Sequence, residues 1–299
     1  MHARRRLTVV LVGVAVVLLA ALSRGSGDGV ALDPAAFAPR ACVAFAPTSG
    51  DRGETVFLDA GHGGIDPGGV GSTEAGRPIA EADVNLPIEL DAMGLLRARG
   101  FRVVVSRTRD STVVRLTAGD TSDGALSIQG SHDDVAARDV CANLARASVL
   151  VGIYMDAGAS PQNAGSVTAY DVDRPFSQAN LRLAGLLQRD VLSEMNAHGW
   201  DIPDGGVLPD SNLGSYVGSP APGGIAAAAA AYDHLLLLGP AMSGFFSTPS
   251  EMPGAVVEPL YLTDPFEASI AGSAHGQQVI AWGVVHAVEQ FLAPAPKPK

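Results

Sequence analysis

Short apolar runs alternate with helical patterns along most of this chain, and this alternation constrains the fold more than any other feature. Runs that end at Gly, Pro or Asp are typical of buried strands, and apolar residues that recur every three or four positions are typical of helices. Together they predict an α/β fold, with a largely parallel sheet covered by helices on both faces. Pro87 is expected in the first turn of its helix, where its missing N–H matters little. The predicted strands are residues 55–58, 101–105, 149–153, 167–170, 234–238 and 255–258, and the predicted helices are residues 86–99, 136–146, 179–197 and 277–292.

The N-terminal segment has the pattern of an export signal. Three arginines at positions 4–6 precede an apolar run over residues 7–22. Such a run spans about 24 Å as a helix, which is short of the ~30 Å hydrocarbon core of a membrane. Residues 1–24 are therefore interpreted as a signal peptide or a short membrane anchor, with a buried core helix as the alternative, and the rest of the chain is predicted to be exported.

The remaining chain divides by composition into three parts. Residues 25–53 are rich in Gly, Pro, Ala and Asp and are expected to form a linker. Residues 54–292 carry the α/β pattern and are predicted to form the main folded domain, and residues 293–299 form a Pro/Lys-rich tail. Two long polar or Gly/Pro-rich stretches, 117–134 and 203–232, interrupt the pattern and are candidate walls or lids of a site, with plain surface insertions as the alternative.

Charge and residue usage exclude several function classes. The net charge is −11, and no Arg/Lys-rich face is available, so nucleic acid is not expected as a partner. The only lysines are Lys297 and Lys299, which excludes a Walker loop and a Schiff-base mechanism in the body of the protein. Two cysteines cannot supply a four-thiolate zinc site. Export would place Cys42 and Cys141 in an oxidising compartment where they can pair, although two free thiols remain an equal alternative.

Candidate chemistry appears where the predicted strands end. The first strand runs into a glycine-rich segment that contains His62. Its spacing does not match a dinucleotide-binding loop, because with Gly61 as the first position the sixth is Asp66 and not glycine. Glu81 lies just before a helix, and Glu258 ends an apolar strand, where an acidic side chain is costly unless it is paired, metal-bound or catalytic. One histidine and two such glutamates are components of a mononuclear zinc hydrolase, although a lone histidine is more often a surface or core residue.

The order and spacing of these segments resemble the zinc-dependent N-acetylmuramoyl-L-alanine amidases of the bacterial cell wall (the Amidase_3 group). The resemblance covers residues 55–292 and implies that the domain at 54–292 is an amidase-like catalytic domain with a twisted α/β sheet flanked by helices. It implies that His62 and Glu81 are the first two zinc ligands and that Glu258 is the catalytic glutamate. The substrate implied is peptidoglycan or a muropeptide, cleaved between the lactyl group of N-acetylmuramic acid and the first L-alanine of the stem peptide. The segments that carry the resemblance are residues 58–64, 81–86, 106–107, 138, 142–143 and 256–264.

This chain departs from the family pattern at the third zinc ligand. The position that normally holds a histidine is Tyr154, and a neutral tyrosine is a poor zinc ligand. Asp156 lies two residues further along, on the same face of a strand, and is the candidate third ligand. Three hypotheses follow: an active amidase, a pseudo-amidase that binds peptidoglycan fragments, and an exported structural or partner-binding domain. Five further histidines have no motif context and are interpreted as surface or packing residues, with only the first worth attention: His132, His198, His234, His275 and His286.

Overall fold

The computed structural model of the chain describes residues 29–213 and 224–294, and its strands form one large sheet and two small hairpins. Most strands are short apolar segments that end at Gly, Asp or a charged residue, as the sequence pattern predicts. The strands are β1 (Val30–Ala31), β2 (Ala41–Phe45), β3 (Thr55–Ala60), β4 (Val70–Ser72), β5 (Pro78–Ala80), β6 (Arg102–Arg107), β7 (Thr121–Ser122), β8 (Ala125–Leu126), β9 (Val149–Ile153), β10 (Ser166–Tyr170), β11 (Asp204–Pro209) and β12 (Gly254–Glu258).

The main sheet has eight strands in the order β1-β2-β6-β3-β9-β12-β10-β11. Its four central strands, β6, β3, β9 and β12, are parallel to one another, while β2 and β10 are antiparallel to their central neighbours. β11 is parallel to β10. The carboxyl ends of β3, β9 and β12 therefore lie at one edge of the sheet, and those of β10 and β11 lie at the opposite edge.

Helices cover both faces of the sheet, as predicted. Along β3, Val56 and Leu58 point to one apolar cluster and Phe57 to the other, because successive side chains of a strand point to opposite faces. Residues of α1, α3, α5 and α6 pack in the first cluster, and residues of α2 pack in the second. The helices are α1 (Glu81–Ala98), α2 (Ile128–Leu144), α3 (Ser177–Ala197), α4 (Gly224–Ala231), α5 (Pro265–Ala271) and α6 (Ala274–Phe291).

The region before β3 differs from the expected linker. Residues 41–45 form β2, which pairs with β6, and Val30–Ala31 extends the sheet by one more strand. Phe37 is 2% exposed and packs in the second apolar cluster. The composition, rich in Gly, Pro, Ala and Asp, suggested a linker, but short strands such as β2 gain their stability from pairing with a distant strand, which composition does not reveal.

The predicted strand at 234–238 is also wrong. These residues form turns rather than a strand, and Leu237 and Leu238 are buried in the second apolar cluster. The apolar run therefore signalled burial and not strand geometry. The helix predicted from 86 begins five residues earlier, at Glu81, so Pro87 lies inside the helix and not in its first turn. Asp83, whose carbonyl loses its N–H partner at Pro87, is exposed to solvent, which can hydrate that carbonyl.

A disulfide joins the N-terminal strand to the helix on the second face. Cys42 of β2 and Cys141 of α2 are bonded, with their Cα atoms 5.6 Å apart and both side chains fully buried. This resolves the two alternatives for the cysteines in favour of pairing. The bond closes a loop with a sequence separation of 99 residues.

Several segments identified from the sequence fall partly or wholly outside the described residues. The signal peptide or anchor predicted for 1–24 and most of the tail lie there, as do residues 214–223 of the second long insertion. Within residues 29–213 and 224–294, no helix is long and apolar enough to cross a membrane. The first insertion contains the β7–β8 hairpin and the beginning of α2. The described part of the second insertion contains β11 and α4.

Candidate active site

The loop after β3 carries His62 in a backbone conformation that few non-glycine residues adopt, with φ of 61°. Two buried arginines fix this loop through its carbonyl groups. Arg138 donates to the carbonyls of Ala60 at 2.8 Å and His62 at 3.0 Å, and Arg107 donates to those of Ala60 at 3.1 Å and Gly61 at 3.2 Å. The strained position of the imidazole is therefore held by its surroundings, as is common at functional sites.

The His62 imidazole lies between two carboxylates. Its Nε2 is 3.2 Å from Oε2 of Glu81, and its Nδ1 is 2.8 Å from Oδ2 of Asp66. Burial alone lowers the pKa of His62, but the hydrogen bonds with Asp66 and Glu81 outweigh burial and raise the pKa to about 10. Gly68, with φ of +68°, lets the backbone pass close to the pair, because a Cβ atom there would lie 2.6 Å from the imidazole and 2.7 Å from Glu81.

Glu81 is the first residue of α1, and its carboxylate is 4% exposed and anchored on three sides. Oε1 accepts from the Met155 backbone N–H at 3.0 Å and from the Asn85 amide at 3.3 Å. Oε2 accepts from the Gly69 backbone N–H at 2.8 Å and also faces His62. The side chain is thus preorganised, with one oxygen directed toward the imidazole.

Glu258 ends β12 at the same edge of the sheet and lies close enough to Glu81 and His62 for their charges to shift its pKa. Burial, followed by the neighbouring charges of Asp156 and Glu81 and a hydrogen bond with Asp156, raises the pKa of Glu258 well above its usual range. Asp156 follows β9, and its side chain also hydrogen-bonds Tyr261. The structure therefore brings His62, Glu81, Asp156 and Glu258 to one end of the central strands.

Asp156 does not form a compact ligand set with His62 and Glu81 in this conformation. Within the described ranges, the one group of three or more His, Cys, Asp or Glu ligand atoms that lie within 4.8 Å of one another is found elsewhere. Asp156 is instead engaged with Glu258 and Tyr261. A shift of this side chain would be needed for it to share an ion with the other two.

The hydroxyl of Tyr154, the residue that the sequence resemblance places at the third zinc-ligand position, points to a buried carboxylate. The hydroxyl donates to Oδ2 of Asp59 at 3.0 Å, and Oδ1 of the same carboxylate is 2.6 Å from Arg138. Burial, together with the charge of Asp59, raises the pKa of Tyr154 well above its usual range, so the phenol stays neutral. Its ring packs edge-on against His62, with the ring centroids 5.5 Å apart.

Comparison with known proteins identifies the family. The family model described as N-acetylmuramoyl-L-alanine amidase matches residues 56–290. The chain belongs to this family. The resemblance deduced from the sequence motifs is therefore confirmed, and so is the predicted class of hydrolase, an amidase that acts on cell-wall peptidoglycan. Membership of this family does not favour the pseudo-amidase alternative.

Solved structures of amidases share the fold of this chain. The CwlD amidase from Clostridioides difficile, solved in complex with the GerS lipoprotein, is 20% identical, with a TM-score of 0.58 over 80% of this chain and 98% of that chain. The amidase AmiC2 of Nostoc punctiforme is 20% identical, with a TM-score of 0.56 over 82% and 100%. An N-acetylmuramoyl-L-alanine amidase from Clostridium difficile 630 is 24% identical, with a TM-score of 0.55 over 83% and 100%. No curated protein matches the sequence significantly.

The amidase also contains a candidate metal cluster that the sequence analysis missed. Asp171, Asp210 and His234 have ligand atoms within 4.8 Å of one another. His234 was interpreted as a surface or packing residue, and its segment as a strand. The one sequence signal for this cluster was Asp171, an aspartate directly after the predicted strand 167–170. The strand before Asp210 was not predicted, and nothing in the sequence connected either residue to His234.

Proposed function

We propose that this amidase hydrolyses the amide between N-acetylmuramic acid and the stem-peptide L-alanine with a zinc ion bound by His62 and Glu81. The observation that carries the proposal is the 3.2 Å approach of His62 Nε2 to Glu81 Oε2. Neighbouring ligands of one ion lie at about this separation, and imidazole and carboxylate are both common zinc ligands. A bond of the other imidazole nitrogen to a carboxylate, here Asp66, is the usual way in which a zinc-binding histidine is oriented.

The donor set therefore fits zinc at two positions and leaves the third to a carboxylate. The Tyr154 hydroxyl donates its hydrogen bond to Asp59, so we assign the third ligand position to Asp156, which lies next to Glu258. Asp156 would reach the ion by exchanging its contact with Glu258 for the metal. Such an exchange would also separate two half-buried acidic groups that share a hydrogen bond.

Glu258 is assigned the acid–base role. Zinc, when bound, polarises the scissile carbonyl and lowers the pKa of the attacking water to about 7. Glu258 accepts the proton of that water and then donates it to the leaving nitrogen of L-alanine. Its position at the end of β12, beside Glu81 and His62, supports this assignment.

We further propose that the protein works outside the cytoplasm, where peptidoglycan lies. The Cys42–Cys141 disulfide supports this location because such bonds persist in oxidising compartments. The arginine-led apolar run at residues 4–22 supports it from the sequence.

The experiment is hydrolysis of purified muropeptides by the full chain, with release of stem peptides that carry a new N-terminal L-alanine as the readout. We expect Glu258→Gln to retain zinc and to lose at least about 100-fold in rate, the usual contribution of acid–base catalysis. Glu194→Gln is the matched control, since Glu194 bonds His286 at the surface at 3.0 Å and lies outside the site. Full activity of Glu258→Gln would contradict the assigned role.

A further inference from the structure

Three side chains from separate elements meet at the edge of the sheet opposite the active site. Asp171 directly follows β10 and Asp210 directly follows β11, and these strands are parallel, with Tyr170 paired with Pro209. Their carboxyl ends are therefore adjacent. His234 comes from the loop that follows α4. The topology thus brings two strand-end carboxylates and one imidazole together from distant parts of the sequence.

This cluster is separate from the amidase site. Val167 at the start of β10 pairs with Glu258 at the end of β12, because these strands are antiparallel. Asp171 lies four residues further along β10, which corresponds to about 13 Å at the usual rise of a strand. The cluster is therefore too far from the active-site glutamate for the two sites to share one metal ion.

The cluster is buried and closely spaced. Asp171 and Asp210 are both 0% exposed, and the His234 side chain is 17% exposed. The Nδ1 atom of His234 lies 2.8 Å from Oδ2 of Asp171 and 3.6 Å from Oδ2 of Asp210. Surface clusters of acidic groups are common without a ligand, but carboxylates withheld from water in this way need a partner.

Among the described residues, the local hydrogen bonds leave two of the three converging atoms without that partner, and the third, Oδ2 of Asp210, accepts only the Leu235 backbone N–H at 3.0 Å. Oδ1 of Asp171 accepts the backbone N–H groups of Asp173 at 2.7 Å and Arg174 at 2.8 Å, whereas its Oδ2 has no hydrogen-bond partner. His234 Nδ1 also lacks one, because its 2.8 Å approach to Asp171 does not have hydrogen-bond geometry. Two unpartnered lone-pair atoms at this separation are the arrangement expected of two ligands of one cation.

Among the described residues, no arginine forms an ion pair with the cluster. Arg174 is buried, but its guanidinium donates to the backbone carbonyls of Gly239 at 2.9 Å, Leu238 at 3.3 Å and Ser250. Burial and the charge of Asp171 raise the pKa of Asp210 to about 6. Two carboxylates thus repel each other inside the protein, and a divalent cation would remove that repulsion.

We propose that Asp171, Asp210 and His234 form a second metal site that binds a divalent transition-metal ion, with Zn²⁺ as the best fit. One imidazole and two carboxylates suit Zn²⁺, and Mn²⁺ is the next candidate because it prefers oxygen ligands. The ion would connect the loop at His234 to the ends of β10 and β11. Leu237 and Leu238 of this loop are buried in the core, so the ion would stabilise the packing of the second face.

The test counts the zinc ions retained by the full chain after chelation, reloading with Zn²⁺ and desalting. We expect two per chain in the wild type, one in His234→Gln, one in His62→Ala and none in the double variant. His286→Gln is the matched control, since this histidine bonds the carboxylate of Glu194 at the surface, outside both proposed sites, and it should retain two. Zinc should also raise the thermal unfolding midpoint of His62→Ala by about 5 °C when its concentration is 100 times the Kd.

The outcomes separate this site from the proposed active-site zinc. A wild type and a His62→Ala variant that each retain one ion, with none in His234→Gln, would support the second site and contradict the first. Asp171→Asn repeats the test if His234→Gln does not fold, because an asparagine keeps the acceptor for the Asp173 and Arg174 N–H groups. If His62→Ala retains neither Zn²⁺ nor Mn²⁺, or if His234→Gln retains as much metal as the wild type, the second site does not exist.

Discussion

Replacing Tyr154 with phenylalanine tests whether this residue is a zinc ligand or a structural donor. The substitution keeps the ring that packs against His62 and removes only the hydroxyl that donates to Asp59 at 3.0 Å. If the hydroxyl serves Asp59, as the geometry indicates, Tyr154→Phe should lower the free energy of unfolding and leave the zinc content unchanged. If the hydroxyl is a ligand, zinc should be lost.

The size of the expected loss in unfolding free energy follows from the burial of Asp59, which accepts the hydrogen bond. Asp59 is 0% exposed, so its Oδ2 cannot exchange the lost hydrogen bond for water. Hydrogen bonds to charged groups contribute about 1.5–3 kcal/mol, and Arg138 still holds the other oxygen at 2.6 Å. We therefore expect Tyr154→Phe to cost about 2 kcal/mol. Tyr232→Phe is the matched control, because its hydroxyl donates to the neutral carbonyl of Pro240 at 2.8 Å and should cost about 1 kcal/mol.

Urea denaturation gives the free energies, and metal analysis of the same samples gives the zinc content. The two hypotheses predict opposite combinations of these measurements. A Tyr154→Phe protein of wild-type stability that has lost one zinc would refute the structural role assigned to the hydroxyl.

Three further changes test the fold and the site. Asp66→Asn weakens the bond that orients the imidazole and should reduce zinc affinity about 10–100-fold in a competition with a chelator. Glu89 is fully buried, and burial raises its pKa to about 8, so the folded protein keeps a proton that the unfolded chain releases above about pH 4.5. The free energy of unfolding should therefore fall by up to about 5 kcal/mol between pH 5 and 8. Glu89→Gln should abolish this fall, as measured by urea denaturation at each pH. Replacing both Cys42 and Cys141 by serine should lower the free energy of unfolding by up to about 4.7 kcal/mol relative to the oxidised wild type. Equal stability of the two proteins would contradict this contribution of the disulfide.

The central strands and the active-site edge could be predicted from the sequence because their signals are local. The apolar run before Asp59 and the glycines around His62 mark a strand that ends in a loop, and Glu258 ends a second apolar strand. Parallel neighbours bring such ends together, so the proximity of these residues follows from the fold class. The order of the motifs then identified the family.

The missed features depend on contacts between distant residues. β2 is stabilised by pairing with β6 and by the disulfide to α2, neither of which is encoded in its Gly/Pro/Ala-rich surroundings. The apolar run at 234–238 predicted burial correctly but not its turn conformation, since periodicity cannot distinguish the two in so short a segment. His234 could be linked to Asp171 only after β10 and its reversed direction were known.

The most direct test of the proposed mechanism is the rate of stem-peptide release by the full chain as zinc is added back after chelation, compared between wild type and His62→Ala. We predict that the metal-free wild type is inactive, that zinc restores its activity, and that His62→Ala remains inactive at every zinc concentration. Release of stem peptide by a wild-type sample that metal analysis shows to be free of zinc would contradict the account, as would restoration of His62→Ala by zinc to the wild-type rate.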